Sequence, residues 1–205
     1  MIQLACLGDS NTFGYDPQSL WGGRYEKTVR WTGRLEVAGF AVRNFGVNGL
    51  GVSRESVHTV LAGELKSLRP PVMALVMLGS NDLLLGVSAA ETARCMERLL
   101  ALISEKQAAD AVCLIAPPPF RLGTWVQDAA LIPECRALAE RYRRLAEEKG
   151  LLFADAGAWD IPLAFDGVHF TEEGHRIFAE RLERLLPEAV LPLQDTKTRE
   201  RKAEP

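Results

Sequence analysis

Ile2-Gln3-Leu4-Ala5-Cys6-Leu7-Gly8-Asp9-Ser10-Asn11 sets a short apolar run directly ahead of a glycine turn that carries a hydroxyl. Ile2, Leu4, Cys6 and Leu7 read as a buried strand, so Ser10 falls just past its carboxyl end. In an open α/β sheet that end of a strand is where ligands bind and reactive groups are displayed. Taken alone, a serine in such a turn has a plainer reading, as a helix N-cap or turn residue. The rest of the chain decides between the two.

The same strand–turn–helix order repeats outward from this stretch. A second short strand over 40–45 ends in Asn44-Phe45-Gly46-Val47-Asn48-Gly49-Leu50-Gly51, whose glycines mark backbone that turns tightly or is closely approached. Val72-Met73-Ala74-Leu75-Val76-Met77-Leu78 is apolar without interruption, as in a central parallel strand buried on both faces, and it ends at Gly79-Ser80-Asn81-Asp82. Further strands are expected at 111–116, stopped by Pro117-Pro118-Pro119, and at 151–154. Helices are expected over 29–38, 53–67, after the Ser88/Glu91 capping box, over 126–149, and after Thr171 as N-cap. Strands alternating with helices predict an α/β fold: a five-stranded parallel sheet with helices on both faces. The spacing suits one domain over 1–193, and 194–205 reads as a polar tail without apolar anchors, expected to be mobile.

Composition excludes several functions. A formal charge of -3, with arginines interleaved with Glu140, Glu147 and Glu148 at helical spacing, offers no clustered basic surface for nucleic acid. No apolar run approaches the ~20 residues of a membrane span, and no leader precedes Ile2, so a cytoplasmic protein is expected. Cys6, Cys95, Cys113 and Cys135 form no C-x-x-C pair and lie in apolar patterns, as reduced core thiols do. With only three histidines and no H-E-x-x-H, neither a metal site nor a cofactor is expected.

The strand-exit loops of a parallel sheet share one edge, so Ser10, Gly49 and Asn81 can converge there. Asp166 and His169 lie in the long loop ahead of the last helix, three positions apart, so one turn sets both side chains on one face. A serine nucleophile needs a base, a group to orient that base, and donors for the oxyanion. Ser10, His169 and Asp166 supply the nucleophile, the base and the orienting group. The Ser10 and Gly49 N–H groups and the Asn81 amide make a sensible oxyanion hole. Each has a plainer reading alone: Gly49 as a turn residue, Asn81 as an N-cap, Asp166 as an Asx-turn. His58 and His175, inside predicted helices, are read as structural.

Gly8-Asp9-Ser10-Asn11, Gly49 within N-x-G-x-N-G, Gly79-Ser80-Asn81-Asp82 and Asp166-x-x-His169 resemble, in order, the four blocks of the SGNH hydrolases, also called GDSL esterases and lipases. The resemblance implies a flavodoxin-like three-layer α/β/α sandwich and Ser-His-Asp hydrolysis of acyl esters, with oxyanion donors at the positions just named. Asn11 stands where leucine is usual, which leaves the nucleophile untouched but alters local hydrogen bonding. Gly14-Tyr15-Asp16-Pro17, Gly22-Gly23-Arg24-Tyr25 and Arg30-Trp31-Thr32-Gly33 resemble small intracellular arylesterase and acyltransferase-like members, which implies short acyl esters and homo-oligomers.

The expected activity is hydrolysis of short-chain aryl or alkyl esters through an acyl-enzyme, with acyl transfer as a companion. Asn11, Phe13, Tyr15, Trp21 and Trp125 are candidates for binding the small acyl-ester substrate, although core packing explains the aromatics equally well. Two alternatives stay open: a carbohydrate O-deacetylase, lysophospholipase or thioesterase with the same triad, or a non-enzymatic flavodoxin-like binding module.

Overall fold

The computed structural model describes residues 2–19, 21–38 and 40–200, without the side chains of residues 37 and 187–200. Five strands form one all-parallel sheet: β1 (Gln3–Gly8), β2 (Ala41–Gly46), β3 (Val72–Met77), β4 (Ala111–Ala116) and β5 (Leu152–Asp155), ordered β2-β1-β3-β4-β5. Among the described residues seven α-helices accompany them: α1 (Ser10–Phe13), α2 (Trp31–Val37), α3 (Glu55–Lys66), α4 (Ser80–Leu84), α5 (Ala89–Glu105), α6 (Leu131–Lys149) and α7 (Glu172–Glu200). The expected α/β sandwich is the observed one.

Period-2 alternation divides the core into two layers. Ala5 and Leu7 of β1, Val72, Ala74 and Val76 of β3, and Leu114 and Ala116 of β4 face α3, α5 and α6. Leu4 and Cys6, Met73, Leu75 and Met77, and Cys113 and Ile115 face α2 and α7, where Trp31 packs on Phe178 with ring centroids 5.0 Å apart. Because β3 is buried on both faces at every position, it reads as the unbroken apolar run that such a strand requires.

Several boundaries move. The expected 126–149 helix begins at Leu131, because 126–130 are used to fold the preceding loop, where the Asp128 side chain accepts the Ala130 N–H. The capping box at α5 is half made: Ser88 Oγ accepts the Glu91 N–H, but Glu91 pairs with Arg94 instead of reaching back. Thr171 does cap α7, its Oγ1 accepting the Gly174 N–H at 3.0 Å. The helix α7 runs past the expected boundary at 193 to Glu200, and 201–205 of the expected tail lie outside the described residues. The two short helices α1 and α4 had no periodic signal to announce them, being only 4 and 5 residues long.

Register positions the site. Gly8 lies level with Gly46 on one side and Met77 on the other, so the chain leaves β1, β2 and β3 at one edge. The chain from β1 leads to β2 on one side, whereas β3 lies on the other, which makes this edge the switch point where such sheets hold ligands.

Candidate active site

Ser10 opens α1 immediately beyond β1 and is 6% exposed. The N-cap is Asp9 rather than Ser10: its Oδ1 accepts the Asn11 N–H at 3.0 Å, which leaves the Ser10 hydroxyl free of capping. Burial pushes the Asp9 carboxyl up to about 6, with the Asp82 charge adding to the rise and the Asn11 N–H and His169 opposing it.

His169 reaches Ser10 from the far end of the sequence. Its Nε2 lies 2.9 Å from Ser10 Oγ and its Nδ1 2.7 Å from Asp166 Oδ2. The partners assign the tautomer: Nδ1–H donates to the carboxylate, so neutral Nε2 accepts the serine hydroxyl. Asp166 is also an Asx-turn residue, its Oδ1 accepting the N–H groups of Val168 and His169 at 2.9 Å each. The structural and chemical readings of Asp166 are therefore one arrangement, since the turn aims its second oxygen at the ring. Burial alone would raise this carboxyl, but the His169 ring and the two N–H groups outweigh it and hold it below the ordinary carboxylate value.

Gly49 comes from the turn after β2, and Asn81 from the start of α4, the short helix that follows β3. Gly49 adopts φ +72°, a conformation other residues avoid, in the turn closed by the Leu50 N–H on Val47 O. Asn81 Nδ2 donates to Leu50 O at 3.1 Å, which ties its amide to that turn and leaves its second N–H free of this bond. Beneath them Asp82 is fully buried and accepts the N–H groups of Val52 and Ser53 at 2.8 Å each. Asp82 and Asp9 are the residues that sequence reading missed here. The G-S-N-D run contained the first, but a buried carboxylate cannot be told from an exposed cap without its partners.

The predicted binding residues separate. Tyr15 and Trp125 both lie on the His169 ring, with centroids 4.6 and 4.9 Å away. Trp125 remains 55% exposed, an aromatic wall at the site's mouth. Phe13 lies instead beneath Arg24, whose guanidinium stands 4.2 Å from the ring centroid. Trp21 is 94% exposed, and among the described residues no aromatic contact joins it to His169. Asn11 also departs from its expected role: it is buried, and its amide is engaged by the main chain at Val168 and Phe170.

The other histidines are held elsewhere. His58 Nε2 meets Val52 O at 2.6 Å, and His175 Nδ1 accepts the Trp31 N–H at 3.4 Å. Burial lowers His175 to about 3, with the charges of Arg34 and Arg30 adding to the effect. The four cysteines are free and buried, and burial pushes the Cys113 and Cys135 thiols up to about 12 and about 11, far from reactive thiolates. Among the described residues, no cluster of three or more His, Cys, Asp or Glu could hold a metal ion, and no helix is long and apolar enough to cross a membrane.

A hydroxyl, an imidazole and a carboxylate in hydrogen-bonded series, beside backbone and amide donors, can form and discharge an acyl-enzyme. Comparison with known proteins agrees with that chemistry. The model of the GDSL-like lipase/acylhydrolase family matches residues 6–177. A putative arylesterase from Agrobacterium tumefaciens str. C58 is similar at 28% identity and TM-score 0.79, covering 92% of this chain and 99% of that one. The native aryl esterase of M. smegmatis is similar at 26% identity and TM-score 0.80, over 92% and 99%. A carbohydrate acetylesterase family member from Sinorhizobium meliloti is similar at 27% identity and TM-score 0.79, over 91% and 97%. No curated protein sequence matches.

Proposed function

The chain belongs to the GDSL-like lipase/acylhydrolase family, and from that premise we propose that it hydrolyses short-chain acyl esters with Ser10 as nucleophile, His169 as base and Asp166 as the group that orients the base. One observation carries this reading: the unbroken series from Ser10 Oγ through His169 to Asp166, at 2.9 and 2.7 Å.

Neutral His169 takes the Ser10 proton as Oγ attacks the ester carbonyl. The carbonyl oxygen gains charge and is met by the Ser10 and Gly49 N–H groups and the Asn81 amide. Asp166 stabilises the imidazolium, which then protonates the departing alcohol. Water, deprotonated in turn by His169, attacks the acyl carbon and frees Ser10; a second alcohol in place of water would give acyl transfer.

Carbohydrate acetyl esters form a second substrate reading. Similarity to a carbohydrate acetylesterase family member supports it, and the exposed Trp125 ring beside His169 is a surface that a sugar ring can meet. Rates across p-nitrophenyl acetate to decanoate, repeated with acetylated xylose, separate the two. In the same assays Ser10→Ala loses hydrolysis and labelling by a fluorophosphonate probe. Retained labelling at another residue overturns the assignment.

A further inference from the structure

The 163–170 loop that carries Asp166 and His169 is held on two sides. On one side the preceding loop binds it through main-chain hydrogen bonds, beside the Trp125 ring against His169: the Arg121 N–H donates to Gly167 O at 3.0 Å, Thr124 N–H to Phe165 O at 3.2 Å, and Trp125 N–H to Asp166 O at 3.1 Å. None of these bonds reaches the helix that bears the nucleophile.

On the other side stands Asn11, the neighbour of Ser10 on α1. Its Oδ1 accepts the Phe170 N–H at 2.9 Å and its Nδ2 donates to Val168 O at 3.1 Å. Those two groups flank His169 in the chain, so one side chain grips the backbone on both sides of the base. Asn11 is itself anchored: its N–H donates to Asp9 Oδ1 at 3.0 Å, and its carbonyl accepts the Trp31 indole N–H at 3.0 Å. It is 4% exposed, so it lies under the site rather than in it.

We infer that Asn11 is a positioning residue, which sets the separation of Ser10 Oγ and His169 Nε2 by clamping the base-bearing loop to the nucleophile's own helix. The inference rests on the assignment of Ser10 and His169 made above. Proton transfer needs the two atoms within hydrogen-bond reach, and they are 2.9 Å apart. An aliphatic side chain at position 11 makes neither bond and leaves the Phe170 N–H and the Val168 carbonyl without these partners. The loop then keeps its ties to 121–125 but loses its fixed distance from Ser10, and a displacement of about 1 Å lowers turnover by about 10²-fold.

The test compares wild type, Asn11→Leu, Asn11→Ala and Ser10→Ala in p-nitrophenyl acetate hydrolysis, with folding followed by circular dichroism. Folded Asn11 variants should lose about 10²-fold in kcat with KM changed by no more than about twofold. They should keep the downfield imidazole proton of the His169–Asp166 bond, as Ser10→Ala does, because the turn made by Asp166 holds that pair together within the loop. A folded variant that keeps wild-type kcat, or that loses the imidazole proton together with kcat, overturns the inference and leaves the esterase reading standing. Ser10→Ala with wild-type activity overturns both. Should neither Asn11 variant fold, the wild-type Phe170 amide decides: slow hydrogen exchange supports the clamp and rapid exchange overturns it.

Discussion

The buried carboxylate of Asp82 accepts the Val52 N–H at 2.8 Å, joining α4 to the loop after β2. Its other oxygen takes the Ser53 N–H. Gly51 admits it: a Cβ there would stand 2.8 Å from Asp82 Oδ1. The chain just beyond the Gly49 turn is thus held by Asp82, while Asn81, the residue before it, holds the turn itself at Leu50.

Asp82→Ala should therefore weaken both stability and turnover. It strands two N–H groups that a carboxylate now satisfies, at an expected loss of about 3 kcal/mol in urea unfolding. A variant as stable as wild type would mean that Val52 and Ser53 find other acceptors.

Asn81→Ala removes one proposed oxyanion donor and the tie to Leu50. Its kcat should fall roughly 10²–10³-fold with little change in KM. An unchanged kcat would exclude the Asn81 amide from the oxyanion site.

Asp9 gives a stability effect with a definite sign. Its folded-state value, about 6, lies above that of an ordinary carboxylate, so its contribution is fully present below about 4 and is lost as pH rises through 6. Asp9→Asn keeps a side-chain acceptor for the Asn11 N–H without the buried charge. Its melting temperature relative to wild type should rise between pH 4 and 7; a difference independent of pH would refute this account.

His175 acts in the opposite direction. Its folded value, about 3, lies below the ordinary histidine value of about 6.5. Its contribution is present above 6.5 and is lost as pH falls towards 3, because protonation in the unfolded chain pulls the equilibrium over. His175→Gln does not titrate, so wild type should lose stability faster than this variant on acidification. Parallel acid-unfolding curves would count against burial of a neutral ring.

Sequence alone determined the architecture, because it is written in local periodicity. The apolar runs of β1 and β3 and the amphipathic helices each specify their burial without reference to distant residues. It also brought Ser10, Gly49, Asn81, Asp166 and His169 forward as candidates, since element order puts the first three at strand exits and the last two in the loop ahead of the last helix. Tertiary structure alone decided what each side chain touches. Asn11 is a bridge to residues 157 and 159 positions away, Asp82 is a buried brace, and Tyr15 and Trp125 bracket the base whereas Trp21 stands in solvent. Hydrogen-bond partners and burial are set by packing between segments remote in sequence, and a polar residue in a turn carries the same local signal whether its partner is water or another strand's backbone.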